Sequence, residues 1–251
     1  MKKIKRITLV FLVSLLSISG FASGAFASEE VISENEEKYK RDLEFIKQSM
    51  VLLEDEFKQT DLLMEEYLNE EDQDLDYSYN DHNQLAAPTK SVIRNASKAA
   101  ATGAQPFLPL TAATLKHSAQ DKPTALSYKQ GTSMSNKIKS STAFKNELAK
   151  FKKKLPSKGT YYSYNGSMAL SSPKDLYLAL NKVSYLMAAE KVNGKWKIYT
   201  HVMDTYNFEY WNMKDLPVGT ELLKSFINNY GYVAMSTGAL NPYPINVYIT
   251  N

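Results

Sequence analysis

The chain contains no cysteine. Disulfides, thiol catalysis, cysteine-ligated zinc and a lipidated N-terminal cysteine are therefore excluded. Histidine is nearly as scarce, at three residues, His82, His117 and His201. None falls in a His-x-x-x-His or His-Glu spacing, so no local metal-ligand set exists, and the expected metal site is none. The Gly-x-Ser-x-Gly, phosphate-loop and dinucleotide fingerprints are also missing, and no cofactor is expected. Beyond the first few residues arginine is rare, and residues 86–251 contain only Arg94. That argues against nucleic acid as a partner, because arginine is the usual reader of base edges. No apolar run after the N-terminus approaches the roughly 20 residues a membrane helix needs.

The N-terminus reads as a secretory signal. Lys2, Lys3, Lys5 and Arg6 precede an apolar run from Ile7 to Ile18, and Ala25-Phe26-Ala27 fits the cleavage rule. Residues 1–27 are expected to be removed, leaving a secreted or cell-surface protein without a transmembrane segment. The composition, rich in lysine and asparagine and free of cysteine, points to a Gram-positive bacterium.

Charge is divided unevenly along what remains. Residues 28–85 carry 19 acids against 5 Lys/Arg, a net of −14, whereas residues 86–251 carry 8 acids against 21, a net of +13. Such a split suits an acidic segment that shields a basic domain, or a basic domain aimed at an anionic target. Anionic wall polymer, lipid headgroups, the chain's own acidic helix or a protein partner are the expected partners.

Residues 28–68 read as one long acidic amphipathic helix, or two joined as a hairpin or end to end. Ser33 and Glu36 have capping-box spacing. Tyr39, Leu43, Ile46, Met50, Leu53, Phe57, Met64 and Tyr67 recur at alternating steps of four and three, with Thr60 as the polar interruption. The stripe fits a coiled coil or packing onto a domain. Residues 69–88 are too acidic and apolar-poor to pack, and form a linker.

Residues 89–251 read as a basic α+β domain. Helices are expected near 90–102, 109–119 and 136–155, strands over 161–170, 183–192 and 195–208, and a short strand or helical turn at 175–180. A packed C-terminal helix over 220–236 and a last strand at 245–249 complete a small antiparallel sheet. Asn193-Gly194 between two apolar runs is a strong hairpin signal.

Two groups of residues are candidates for function. The lysines Lys150, Lys152, Lys153, Lys154 and Lys197 could bind anions, with Tyr210 and Trp211 stacking on sugar or polyprenyl surfaces. The segment from Asp204 to Trp211 alternates acids and aromatics, so Asp204 and Glu209 could act as an acid–base pair beside Tyr206.

Asp204-x-Tyr206-Asn207 resembles the Asp-x-Tyr-Asp core of the colicin M family, bacteriocins that cleave the lipid-linked peptidoglycan precursor at its pyrophosphate. Asn207 stands where the family has Asp, and Met213 and Lys214 occupy the spacing of its His-Arg pair. The resemblance therefore implies roles for Asp204 and Tyr206 only. Residues 107–251 also resemble a group of exported Gram-positive proteins of unknown function, through Leu115-Lys116-His117-Ser118, the Asp204 segment and Gly238-Ala239-Leu240-Asn241-Pro242-Tyr243. Two readings follow: a secreted envelope protein that binds anionic material through its Lys-rich domain, or a toxin-like hydrolase with an acidic pro-region.

Overall fold

A computed structural model of the chain describes residues 29–69, 89–208 and 229–251. The architecture is α+β. Helices α1 (Glu29–Leu52), α2 (Glu54–Asn69), α3 (Lys90–Ala104) and α4 (Pro109–Ser118) come first. Strand β1 (Leu126–Tyr128), helices α5 (Ser133–Ser140) and α6 (Thr142–Lys154), strand β2 (Tyr161–Ala169) and helix α7 (Lys174–Leu180) follow. Strands β3 (Lys182–Val192) and β4 (Lys195–Tyr206), helix α8 (residues 229–236) and strand β5 (Tyr243–Thr250) complete the described chain.

The sheet order is β1-β5-β4-β3-β2. All neighbours are antiparallel except β1, which joins β5 in parallel, so the sheet is mixed. Three residues are too short a run to carry an alternation signal, which is why β1 is invisible in the sequence. Asn193 and Gly194 both take positive φ, 51° and 76°, and close the β3–β4 hairpin as the Asn-Gly pair dictates. The 175–180 segment is helical, and the long helix expected over 136–155 breaks at Ser141. That residue caps both pieces: its backbone N–H closes α5 and its hydroxyl accepts from Phe144 N.

The two sheet faces are covered differently. Ile198, Val202, Tyr185, Met187, Ile245, Val247, Leu126 and Tyr128 point into the main core with Met134, Ile138, Phe144 and Phe151 of α5 and α6. The other face carries Leu186, Ala188, Tyr199 and Tyr248, and the apolar stripe of α1 and α2 lies on it through Leu43, Ile46, Met50, Leu53 and Phe57. The polar interruption in that stripe has a purpose. Thr60 is buried, and its hydroxyl accepts a hydrogen bond from the Ser127 backbone N–H at 2.9 Å. Helix α2 thus satisfies the open edge of β1, which would otherwise expose unpaired backbone.

Polar groups fasten both ends of the helical pair. Ser163 of β2 donates to Asp42 at 2.5 Å, and the Thr160 backbone N–H donates to Glu36 at 2.6 Å. At the other end Tyr67 bonds His117 Nδ1 at 2.9 Å and Gln120, while the buried Lys116 ammonium donates to the Tyr67 carbonyl at 2.8 Å. A cation at that place suits the exposed carbonyls of a helix C-terminus.

Candidate functional site

Strand β4 ends where its neighbour β3 begins, and Asp204 sits at that end. It pairs with Ile245 across the β4–β5 ladder, two residues before the strand stops at Tyr206. Beyond it the sheet opens into a cleft of about 940 Å³. Ala100 and Ala104 of α3, Leu108, Thr111 and Leu115 of the α4 region, Tyr177 to Leu180 of α7 and Asn181 just after it wall it. Lys182, Ser184, Met203 to Tyr206, Asn207 and Phe208 complete the lining. The volume falls in the range of small-molecule sites, roughly 300–1,000 Å³. Apolar side chains make one part of the lining, and Asn181, Lys182, Ser184, Asp204, Thr205 and Asn207 make the polar part.

A buried carboxylate fixes the wall opposite β4. Helix α4 begins at Pro109 with Leu108 before it, so no side chain of its own caps it. Asp175 of α7 takes that role from a distance. It accepts from the backbone N–H of Thr111 at 2.9 Å and of Leu110 at 3.3 Å, and pairs with Lys137 at 2.5 Å. Three orphan or charged donors are satisfied by one group, and α4, α5 and α7 are locked together. Asp175 escapes sequence reading because its partners lie far away in the chain. The lack of a capping side chain before Pro109 is the only hint.

Asp204 is half-buried, and the one described hydrogen bond to its carboxylate comes from the Thr205 backbone N–H at 2.8 Å. Burial pushes its carboxyl up to about 7, against the opposing pull of that bond. Near neutrality the group therefore exists in both protonation states, as a general acid or base requires. Tyr206 lies 4% exposed in the floor of the cleft, its ring stacked on Tyr243 at 5.2 Å and edge-on to Phe208 at 5.4 Å. Burial raises its phenol well above the usual range, so it stays neutral. Glu209, Tyr210 and Trp211, like Met213 and Lys214, lie outside the described residues, as does His82.

The lysines expected to bind anions do not form one surface. Lys150, Lys152, Lys153 and Lys154 are exposed on α6, which packs against β2. Lys150 pairs with Glu147 at 2.7 Å, and Lys154 sits 4.0 Å over the Tyr164 ring. Lys150 and Lys153 line a shallow groove of about 460 Å³ with Asn146, Glu147 and Ser167. Lys197 belongs to the α1 side of the sheet, 5.1 Å over the Tyr199 ring. The sheet stands between it and α6.

His117 and His201 are both buried. His117 holds α2 to α4, and burial lowers its imidazole despite a hydrogen bond with the Thr124 carbonyl. Among the described residues no cluster of three or more His, Cys, Asp or Glu could hold a metal ion, and no helix is long and apolar enough to cross a membrane.

No family model and no curated protein matches the chain. Among solved structures it is similar to PaeM, a colicin M-like bacteriocin produced by Pseudomonas aeruginosa. The identity is 18% and the TM-score 0.30, over 57% of this chain and 51% of that one. It is also similar to truncated bacteriocin syringacin M from Pseudomonas syringae pv. tomato DC3000. There the identity is 11% and the TM-score 0.28, over 57% of this chain and 60% of that one. The chain spans about half of the first and three-fifths of the second.

Proposed function

We propose that the protein is a toxin-like hydrolase of the bacterial envelope whose proton donor is Asp204. The observation that carries this reading is the position of Asp204: a half-buried carboxyl, pushed up to about 7, in the lining of a cleft of about 940 Å³. A lining that combines Leu108, Leu115 and Phe208 with Lys182, Ser184 and Asn181 suits an amphiphile with a polar head. The colicin M resemblance of Asp204 and Tyr206 supplies the substrate class, a lipid-linked pyrophosphate. In hydrolysis water adds to phosphorus as the bond to the leaving oxygen breaks. Asp204 delivers its proton to that oxygen. Glu209 is the candidate base for the attacking water.

The test is turnover of a lipid-linked pyrophosphate by the chain from residue 28 onward. Asp204→Asn is expected to lower kcat at least about a hundredfold while the unfolding midpoint is kept. Unchanged turnover in a folded variant would remove Asp204 from the chemistry.

A second reading, favoured by exposed Lys152 and Lys153 on α6, is binding of anionic wall or membrane material without catalysis. Binding that is weakened by salt and by Lys152→Glu with Lys153→Glu, from a protein showing no turnover, would select it.

A further inference from the structure

The two edges of the sheet are treated differently. At one, Thr60 of α2 accepts from the Ser127 N–H of β1. At the other stands β2, which pairs with β3 alone. Hydrogen bonds just beyond its ends fix which way its backbone points. The Lys191 N–H donates to the Thr160 carbonyl at 2.8 Å, and the Leu170 N–H donates to the Asn181 carbonyl at 2.6 Å. Both pairs continue the register that runs unbroken from Tyr161 opposite Glu190 to Ala169 opposite Lys182. In an antiparallel ladder a hydrogen-bonded residue turns its N–H and C=O to the same neighbour, and the next residue turns both away. The even-numbered residues of β2 therefore face β3. Tyr161, Ser163, Asn165, Ser167 and Ala169 turn their backbone groups outward.

Glu36 and Asp42 of α1 hold the start of this edge, through the Thr160 N–H and the Ser163 hydroxyl. Beyond Ser163 the outward backbone groups have no hydrogen bond among the described residues. Asn165, Ser167 and Ala169 are exposed, and so is the Tyr164 side chain between them and Ser163. Sheet edges are ordinarily guarded against pairing by charge, proline or a bulge. Residues 161–169 contain no charged residue and no proline, and their register has no bulge.

The side of the edge under α6 is basic. The Tyr185 hydroxyl of β3 passes over Gly166, where a Cβ would stand 2.6 Å away, and donates to Glu147 of α6 at 2.6 Å. That bond ties α6 across β2. Lys154 then sits over the Tyr164 ring, and Lys150 and Lys153 line a groove with Ser167, Met168 and Ala169. Glu147, the acid of that groove, is engaged by Lys150 and Tyr185. Lys153 is exposed and makes no ion pair among the described residues.

We propose that the β2 edge is a strand-addition site: an extended segment of a partner protein pairs with Asn165, Ser167 and Ala169 and turns acidic side chains, at alternate positions, to the lysines of α6. Main-chain hydrogen bonds supply affinity in such a contact, and the alternate side chains supply specificity. A second copy of the chain fits the edge poorly. Two antiparallel β2 strands would be related by a two-fold axis normal to the sheet, which keeps both α6 helices on one face and sets Lys153 and Lys154 against their own kind. None of these residues lines the Asp204 cleft, so the site stands apart from the hydrolase reading.

The experiment uses the chain from residue 28 onward and a synthetic peptide that alternates glutamate with threonine. One control peptide has lysine in place of glutamate, and another has a proline at its centre. In the free protein the amides of Asn165, Ser167 and Ala169 should exchange with solvent at least about tenfold faster than those of Tyr164, Gly166 and Met168. The acidic peptide should bind and slow that exchange, and neither control should. Asn165→Pro removes one outward N–H, a change that edge strands tolerate, and should weaken binding at least about tenfold with the unfolding midpoint kept. Lys153→Glu combined with Lys154→Glu, at exposed positions, should weaken it to a similar degree without touching the strand. No binding of the acidic peptide, binding that leaves those amides unprotected, or equal binding by the folded variants would each overturn the proposal. So would a peptide-free dimer that Asn165→Pro abolishes.

Discussion

His201 shows how much a single buried side chain can set. It is 4% exposed, stacked on Tyr248 at 4.4 Å and lying under Phe45 of α1 at 6.0 Å. Its Nε2 meets Asn246 Oδ1 at 3.0 Å, and its Nδ1 has no partner. Burial pushes its pKa down to about 4, so the folded protein holds the ring neutral. A base whose folded pKa is depressed loses stability as pH falls below its unfolded value near 6.5, and the loss levels off below the folded value. Between pH 8 and pH 5 this group should cost the fold about 2 kcal/mol. His201→Phe keeps an aromatic stack and removes the titration. Asp204, with its carboxyl raised to about 7, shifts stability the opposite way over this range, so the readout is the difference. From pH 8 to pH 5 the parent's urea stability should fall by about 2 kcal/mol relative to the variant's, and no relative change would mean that His201 is not the titrating group. At the same scale Asp204 was legible as a candidate from its acid–aromatic setting. Lys182, Ser184 and Asn181 were not, because the cleft that gathers them is built from α3, α4, α7 and two strands.

At the scale of elements, the N-terminal stripe reads as a helix from its spacing alone, but nothing in the spacing says what covers it. The structure lays it on the sheet. Phe57 is 2% exposed, with its ring edge-on to Tyr248 at 5.6 Å. Phe57→Ala should destabilise the chain by about 3–4 kcal/mol, whereas Leu52→Ala, at a side chain 77% exposed, should change the unfolding midpoint little. Similar losses for both would show that α1 and α2 do not pack as described. The same contact bears on the idea of a removable pro-region. Lifting α1 and α2 away uncovers Leu186, Ala188, Tyr199 and Tyr248 and leaves the edge of β1 open. The helical pair acts as a layer of the fold.

At the scale of the whole molecule, the charge split invites the view that opposite halves attract. The interface points elsewhere. Its centre is apolar, and its shortest ion pair runs against the split: Lys47 of the acidic helix meets Glu190 of the basic part at 2.7 Å. Burial raises the Glu190 carboxyl, but hydrogen bonds from Lys47 and Tyr199 outweigh it and hold the group below its usual range. The pairs of expected polarity, Lys129 with Asp61 at 3.8 Å and with Glu54 at 4.0 Å, are long and solvated. Pairs of that kind contribute about 0–1 kcal/mol and are screened by salt. Raising salt from low to molar concentration should therefore shift the unfolding midpoint by less than about 1 kcal/mol equivalent, with one cooperative transition throughout. Release of the helices by salt would restore the electrostatic account.

The α+β class, the Asn-Gly hairpin, the amphipathic first helices and the interest of Asp204 were determined by the sequence itself, since each rests on spacing or backbone chemistry within a few residues. The cover over the outer sheet face, the parallel strand β1, the cap that Asp175 provides for α4 and the cleft around Asp204 were decided only in three dimensions. Each of those joins groups tens of residues apart, and local periodicity carries no record of which distant surface will remove an apolar stripe from water or which carboxylate will reach an open helix end.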